Sequence, residues 1–190
     1  MPDITIKAAD SGSFGAYLAK PASGKGPGLV VIQEIFGVNK WIRDVCDGFA
    51  KLDFVACAPD LFWRQKPGVQ LTDKTKDEWD RAFGYMKGFD FQKGVSDLQS
   101  TISHARKVDG CSGKVGTVGF CLGGSLAYMT GFSTYSDASV GYYPVQIEGN
   151  IDKAKGAKKP VMLHIAEKDA FCPPAAQKQI KDGVAGTNIP

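Results

Sequence analysis

The sequence predicts an α/β fold in which a mainly parallel, doubly wound sheet is flanked by helices on both faces. Short apolar runs alternate along the chain with segments whose apolar residues recur every three or four positions. The run over residues 27–33 is continuously apolar, which is typical of a parallel strand buried on both faces. Gly119 and Gly123 enclose a sharp turn between another apolar run and a helical segment. Such alternation implies right-handed crossovers and therefore a mainly parallel sheet.

The first third of the sequence predicts an antiparallel edge hairpin followed by the beginning of the parallel sheet. The strands are predicted from β-type composition and the turn residues between them, and the helix from a stripe of apolar residues. In chain order they are strands over residues 4–7 and 14–19, a strand over 27–33, a helix between Trp41 and Leu52, and a strand over 54–58 that Pro59 ends.

The remaining elements continue the same alternation. Residues 60–90 have few β-type runs and contain three glycines, so they predict loops and short helices that cover one end of the sheet. The elements after them are a helix over residues 91–105, strands over 114–119, 138–142 and 161–165, a helix beginning at Leu122, and a helix over 177–184.

Length and charge limit the possible classes of protein. A chain of 190 residues suits one domain over residues 1–190 with a sizeable core. The net charge of +3 is small and the lysines are scattered, which excludes nucleic acid and anionic membranes as predicted partners. The N-terminus lacks the pattern of a signal peptide, and no apolar run approaches transmembrane length.

The cysteine and histidine content predicts a reduced protein without a metal or another cofactor. Five cysteines occur, an odd number, and none forms a C-x-x-C pair, so a disulfide framework is not expected. Two histidines without ligand spacing argue against zinc. We therefore expect a cytoplasmic protein, active as a monomer on a small molecule.

The segment from Gly119 to Gly123 has the pattern of a nucleophile elbow, with Cys121 at its centre. The glycines allow strand and helix backbones to approach closely and permit a strained conformation at the central residue. The side chain of Cys121 would project at the helix N-terminus, a position that favours a thiolate. The alternative interpretation is a buried packing cysteine.

Two acidic residues follow other predicted strands. Glu34 directly follows the strand that ends at Gln33, and Asp169 follows the strand over residues 161–165. Because the carboxyl ends of parallel strands meet at one edge of a sheet, we expect both residues near Cys121. Glu34 could instead cap the next helix, and Asp169 could be a turn residue.

A base for the cysteine is not evident. His104 lies in the helix before the elbow strand, and His164 lies within a strand as an expected core residue. In a triad of this order the histidine follows the acid. We therefore expect the chain to be truncated, with a further strand, a helix and the histidine beyond residue 190, and the 190 residues themselves to be nearly inactive.

Three motifs together resemble the dienelactone hydrolase family: the segment over residues 33–39, the elbow over 119–124, and Gly141-Tyr142-Tyr143. The resemblance implies an α/β-hydrolase fold and hydrolysis of a lactone or carboxylic ester through a cysteine acyl-enzyme. It implies that Cys121 is the nucleophile, that Asp169 orients a histidine, and that Glu34 hydrogen-bonds the resting thiol and accepts its proton. The implied oxyanion hole is formed by the N–H groups of Leu122 and Ile35, and Tyr143 would line the substrate pocket.

Substrate recognition is less defined by the sequence. Members of the family hold a substrate carboxylate with arginines, and the candidate here, Arg81, lies two residues out of register. Three alternatives therefore stay open: a general carboxylesterase, a non-catalytic binding protein for a small lactone or ester, and a thiol redox protein. The absence of a C-x-x-C pair disfavours the last.

Overall fold

The computed structural model describes residues 3–187 and residue 189. The described chain has seven strands and five α-helices, and one kinked 3-10 helix over Glu148–Gly156 that the sequence did not predict. In chain order the elements are β1 (Ile4–Lys7), β2 (Ser13–Ala19), β3 (Gly26–Ile32), α1 (Lys40–Ala50), β4 (Val55–Pro59), α2 (Lys76–Lys87), α3 (Phe91–Ala105), β5 (Cys111–Phe120), α4 (Leu122–Ser133), β6 (Ser139–Tyr142), β7 (Val161–His164) and α5 (Pro174–Val184).

The strands form one sheet in the order β1-β2-β4-β3-β5-β6-β7. The pairs β1–β2 and β2–β4 are antiparallel, and every pair from β4 to β7 is parallel. This arrangement confirms the predicted α/β class and the edge hairpin. It also brings the carboxyl ends of β3, β5, β6 and β7 to the same edge of the sheet.

Alternate residues of β3 show how helices cover both faces of the sheet. Val30 and Ile32 belong to a cluster of buried side chains that includes Leu98 of α3 and Leu126 of α4. Leu29 and Val31 point to the opposite face and belong to a second cluster, which includes Ile42 and Cys46 of α1. Successive strand residues face opposite sides, so the continuous apolar run is explained by burial on both.

Helix α2 lies in the region that the sequence predicted as loops and short helices, and it is three turns long. Its N-terminus is fixed by Thr75, whose Oγ1 accepts a 3.2 Å hydrogen bond from the N–H of Glu78. The Glu78 carboxylate in turn accepts a 2.7 Å hydrogen bond from the hydroxyl of Thr72. These contacts fix where α2 begins. Within the part of the chain that the structure describes, no helix has the length and apolarity needed to cross a membrane.

Candidate active site

Cys121 occupies the turn between β5 and α4 in a conformation that is rare for a residue with a side chain. Its φ is 53° and its ψ is −116°, and its N–H donates a 3.1 Å hydrogen bond to the carbonyl of Tyr142. A residue other than glycine held in this region is strained, and such strain persists only where the surrounding structure fixes it. The geometry is that of a nucleophile elbow.

The flanking glycines are required because backbones approach too closely for a side chain. A Cβ atom at Gly119 would lie 1.9 Å from the carbonyl oxygen of Gly123. A Cβ atom at Gly123 would lie 2.4 Å from the carbonyl oxygen of Ile32, which belongs to the neighbouring strand β3. Helix α4 is thereby pressed against the sheet, and this contact fixes the position of Cys121.

Ser125, one turn into α4, connects the elbow to the chain after β6. Its hydroxyl donates a 2.6 Å hydrogen bond to the carbonyl of Val145 and accepts a 2.9 Å hydrogen bond from the N–H of the same residue. Ser125 is buried. The segment that includes Tyr143 and Val145 is therefore held at a fixed distance from Cys121.

A cavity of about 340 Å³ opens in front of Cys121. Its size is in the lower part of the range of small-molecule sites, roughly 300–1,000 Å³. Most of its lining is apolar and aromatic, with a small number of acidic and polar groups. The lining residues are Glu34, Ile35, Phe36, Trp79, Phe83, Met86, Cys121, Tyr143, Val145, Gln146, Asp169 and Phe171.

Glu34 is paired with Tyr143 rather than with the thiol. The Tyr143 hydroxyl donates a 3.2 Å hydrogen bond to Glu34 Oε1, and the described residues include no hydrogen bond between Glu34 and Cys121. Burial raises the pKa of the Glu34 carboxyl above its usual value, and the Tyr143 hydrogen bond partly opposes that increase. Burial, with the adjacent carboxylate, also raises the pKa of the Tyr143 hydroxyl.

The resting thiol of Cys121 is protonated. Its pKa is raised to about 11, chiefly by burial; the nearby carboxylates of Glu34 and Asp169 act in the same direction, and the backbone N–H of Leu122 acts in the opposite direction. The expectation of a thiolate at the helix N-terminus is therefore not met in the free protein. Desolvation outweighs the effect of the helix terminus, so the thiol requires a proton acceptor before it can attack.

Asp169 and two backbone N–H groups complete the surroundings of the thiol. The Asp169 carboxylate lines the cavity, and its Oδ1 accepts a 2.8 Å hydrogen bond from the N–H of Phe171. Leu122 is the first residue of α4, so its N–H has no acceptor within the helix. Ile35 follows Glu34 and also lines the cavity.

Arg81 and the two histidines lie outside the lining of the cavity. Arg81 is exposed on α2 and pairs with Asp77 at 3.6 Å, and it is not among the cavity-lining residues. His164, which the sequence placed in the core, is exposed at the end of β7 and stacks on Tyr142 with ring centroids 4.4 Å apart. His104 lies on α3. No histidine of the described chain lines the cavity.

The aromatic side of the cavity could not be assigned from the sequence. Trp79, Phe83 and Met86 occupy positions that share one face of α2, and Phe171 meets Phe83 from the loop after β7, with ring centroids 6.3 Å apart. The spacing of the three α2 residues was the available signal, but it does not tell core packing from pocket lining. Within the described residues, no cluster of three or more His, Cys, Asp or Glu side chains could hold a metal ion.

Comparison with known proteins identifies the relatives of this chain. The profile of the Dienelactone hydrolase family matches residues 14–190. A protein of Azospirillum brasilense is 48% identical over 188 residues, which are 98% of this chain and 80% of that protein. A carboxymethylenebutenolidase of Pseudomonas sp. strain P51 is 37% identical over 93% of this chain and 74% of its own length.

Solved structures agree on the fold. The crystal structure of a Klebsiella pneumoniae protein aligns with a TM-score of 0.82 at 24% identity, over 98% of this chain and 82% of that one. The dienelactone hydrolase-like promiscuous phosphotriesterase P91 from metagenomic libraries aligns with a TM-score of 0.77 at 19% identity, over 98% and 78% of the two chains. At these identities the alignments support the α/β-hydrolase fold alone.

Proposed function

Because this chain belongs to the dienelactone hydrolase family, we propose that it hydrolyses a lactone or an activated carboxylic ester through a thioester formed on Cys121. That it is a hydrolase follows from the family and from relatives at 37–48% identity. The observation that supports the proposed site is the strained elbow: Cys121 is held at positive φ, facing a cavity with two carboxylates. The relative from Pseudomonas sp. strain P51 is a carboxymethylenebutenolidase, which supports a lactone as substrate.

Acylation begins with a proton transfer from the Cys121 thiol to the Glu34 carboxylate. A thiol with a pKa of about 11 is almost entirely protonated at neutral pH, so an acceptor is needed. Burial raises the pKa of the Glu34 carboxyl, which makes Glu34 a stronger base than an exposed glutamate. The substrate would turn Glu34 away from Tyr143 and toward the sulfur.

The thiolate then attacks the carbonyl carbon and forms a carbon–sulfur bond. The carbonyl oxygen becomes an oxyanion, which accepts hydrogen bonds from the N–H groups of Leu122 and Ile35. When the tetrahedral species collapses, the carbon–oxygen bond to the alcohol or enol breaks, and the leaving oxygen takes the proton from Glu34. The acyl group stays on Cys121 as a thioester.

Deacylation requires that water attack the thioester carbonyl, so that the carbon–sulfur bond breaks and the sulfur regains its proton. The family resemblance assigns Asp169 to the orientation of a histidine base, and neither histidine of the described chain lines the cavity. Glu34 and Asp169 are the lining groups that can accept a proton from water. Since a carboxylate is a weaker base than an imidazole, we expect the 190-residue chain to deacylate slowly.

The experiment is a reaction of the 190-residue chain with p-nitrophenyl acetate. We expect a burst of one nitrophenolate per chain, slow turnover afterwards, and an acetyl group that peptide mass spectrometry locates on Cys121. Cys121→Ala should abolish the burst, and Cys121→Ser, which keeps a weaker nucleophile, should strongly slow it. A burst of unchanged size in Cys121→Ala would exclude Cys121 as the nucleophile.

The proposal also covers the cellular setting. The five cysteines are all free, which supports a reducing compartment, and we propose that the protein acts in the cytoplasm as a monomer on a small-molecule substrate. Size-exclusion chromatography with light scattering tests the monomer, for which a mass near 20.3 kDa is expected. A mass of twice that value would exclude it.

A further inference from the structure

A separate cavity of about 260 Å³ lies beside α1, between Tyr17 and Gln70, and is called the α1 cavity below. Among the described residues it shares no lining residue with the elbow cavity in front of Cys121. We propose that the α1 cavity binds a small hydroxycarboxylate, a molecule with one carboxylate and one hydroxyl on a compact apolar body. This proposal goes beyond the hydrolase function, because it concerns a different site, and its tests measure binding rather than turnover.

The α1 cavity is built from an early part of the chain. Its lining residues all come from residues 15–70. Tyr17 of β2 and Ala58 of β4 belong to the group of side chains that packs against α1. Strands β2 and β4 are second and third in the order of the sheet, whereas β7, which leads to Asp169, is last. The α1 cavity and the elbow cavity therefore depend on different parts of the sheet.

Two paired segments form the wall between the cavities. Phe36 lines the elbow cavity and Val38 lines the α1 cavity. Gly37, between them, pairs with Gln70 in an isolated β-bridge. The two backbones lie so close that a Cβ atom at Gly37 would be 2.0 Å from the carbonyl oxygen of Val69. The α1 cavity is thus a site of its own and not an extension of the elbow cavity.

Arg43 supplies a cation with a fixed orientation. Its Nη1 donates a 2.9 Å hydrogen bond to the carbonyl of Val38 and a 2.5 Å hydrogen bond to Oε1 of Gln70, and all three residues line the α1 cavity. Both acceptors are neutral, whereas the other three arginines each pair with a carboxylate among the described residues. A guanidinium held at one nitrogen presents its other N–H groups as a planar fork, which suits a carboxylate.

Asp60 supplies a hydrogen-bond acceptor at the wall. It is 9% exposed, its Oδ1 accepts a 3.1 Å hydrogen bond from the N–H of Phe62, and its Oδ2 accepts a 2.7 Å hydrogen bond from the N–H of Gly68. Gly68 also lines the α1 cavity, so this carboxylate lies at its edge. Because a carboxylate can accept about four hydrogen bonds, each oxygen keeps the capacity for one more. A ligand hydroxyl that donates there forms a charge-assisted hydrogen bond.

The rest of the lining sets the size and the body of the ligand. Val38, Pro67 and Val69 are apolar, and the volume is just below the usual range of small-molecule sites, roughly 300–1,000 Å³. A compact molecule with one ring fits this description. Opposite charges in one cavity favour a ligand whose two polar groups differ in the same way, with an anion for the cation and a donor for the carboxylate. 4-Hydroxybenzoate has this arrangement and is the probe.

The first test compares three ligands by calorimetry with the unchanged chain. We expect 4-hydroxybenzoate to bind at least about tenfold more tightly than 4-hydroxybenzyl alcohol, which has no charge, and at least about threefold more tightly than benzoate, which has no hydroxyl. Equal affinities for the three ligands would overturn the proposal. The absence of binding of 4-hydroxybenzoate at about 10 mM would also overturn it.

Nuclear magnetic resonance locates the ligand. 4-Hydroxybenzoate should shift the amide signals of Gly15, Gly68 and Gln70, which line the α1 cavity. If the shifted signals are instead those of Ile35 and Leu122, the ligand occupies the elbow cavity and the proposal is wrong. The proposed hydrolysis can fail without changing this result, since the measurement does not require turnover.

Variants of the cation test its role. Arg43→Gln should weaken the binding of 4-hydroxybenzoate at least about tenfold, and Arg43→Lys, which keeps the charge without the fork, should weaken it less. Arg81→Gln, on the exposed side of α2, is the control and should leave the affinity unchanged. Binding to folded Arg43→Gln at unchanged affinity would show that Arg43 does not hold the ligand. If Arg43→Gln does not fold, the three ligands and the amide shifts still decide the question.

Discussion

The hydroxyl of Tyr143 donates a 3.2 Å hydrogen bond to Glu34 Oε1, beside a thiol that has no hydrogen bond to that carboxylate. Tyr143 holds a positive φ of 37°, and its N–H donates a 2.8 Å hydrogen bond to the carbonyl of His164 at the end of β7. The tyrosine is thus fixed to the sheet, and Glu34 is the member of the pair that can turn. In the free protein the base and the nucleophile are therefore kept apart.

Tyr143→Phe removes this hydrogen bond and should change the pH dependence of acylation. A hydrogen bond to a carboxylate stabilises its charged form, so its loss raises the pKa of the Glu34 carboxyl. The acidic limb of the acylation rate, which requires the ionised carboxylate, should therefore move to higher pH. Stopped-flow measurement with p-nitrophenyl acetate gives this profile. A limb that stays in place would show that Tyr143 does not hold Glu34 in solution.

The free thiol should be poorly reactive at neutral pH. Burial raises the pKa of Cys121 from 9.0 to about 11, which reduces the thiolate fraction about a hundredfold. We expect iodoacetamide to alkylate Cys121 slowly at pH 7 and about tenfold faster with each pH unit up to about pH 10. Peptide mass spectrometry measures each cysteine separately, and Cys111, which is partly exposed like Cys121 but lies outside the cavity, is the internal control. Rapid alkylation of Cys121 at pH 7 would contradict a protonated resting thiol.

The sequence predicted the fold well where burial on both faces leaves a clear pattern. The apolar run that became β3 and the glycine-flanked turn at Cys121 both identify the central strands. Helix α2 was less evident, because its apolar face is short and its start is set by polar contacts among Thr72, Thr75 and Glu78. Boundaries set by such caps cannot be read from hydrophobic periodicity alone.

The candidate site was predicted in part, for a reason of topology. Glu34, Cys121 and Asp169 follow strands whose carboxyl ends share one edge, so their proximity could be expected before the structure. The hydrogen bond between Tyr143 and Glu34 could not be predicted, since it depends on the turn that orients the ring of Tyr143. The protonated state of the thiol also depends on burial, which a motif does not contain.

Gly123→Ala should destabilise the protein more than most single changes. The new Cβ would lie 2.4 Å from the carbonyl oxygen of Ile32, so α4 must move away from β3, at a cost of about 2–3 kcal/mol in the free energy of unfolding. Urea titration measures this change in the free energy of unfolding. Gly84→Ala is the matched control, because its Cβ meets nothing within 4 Å on α2, and it should stabilise by about 0.5–1 kcal/mol. Equal effects of both changes would mean that the close contact is absent.

Ser125→Ala should weaken both stability and acylation. The substitution leaves the N–H and the carbonyl of Val145 without their buried partner, which should cost about 2–3 kcal/mol in the free energy of unfolding. It also releases the segment that holds Tyr143, so acylation of Cys121 should slow even in conditions where the variant is fully folded. Ser133→Ala, at the exposed end of the same helix, is the control for both measurements. If Ser125→Ala unfolds more easily but acylates at the unchanged rate, Ser125 supports the fold without positioning the site.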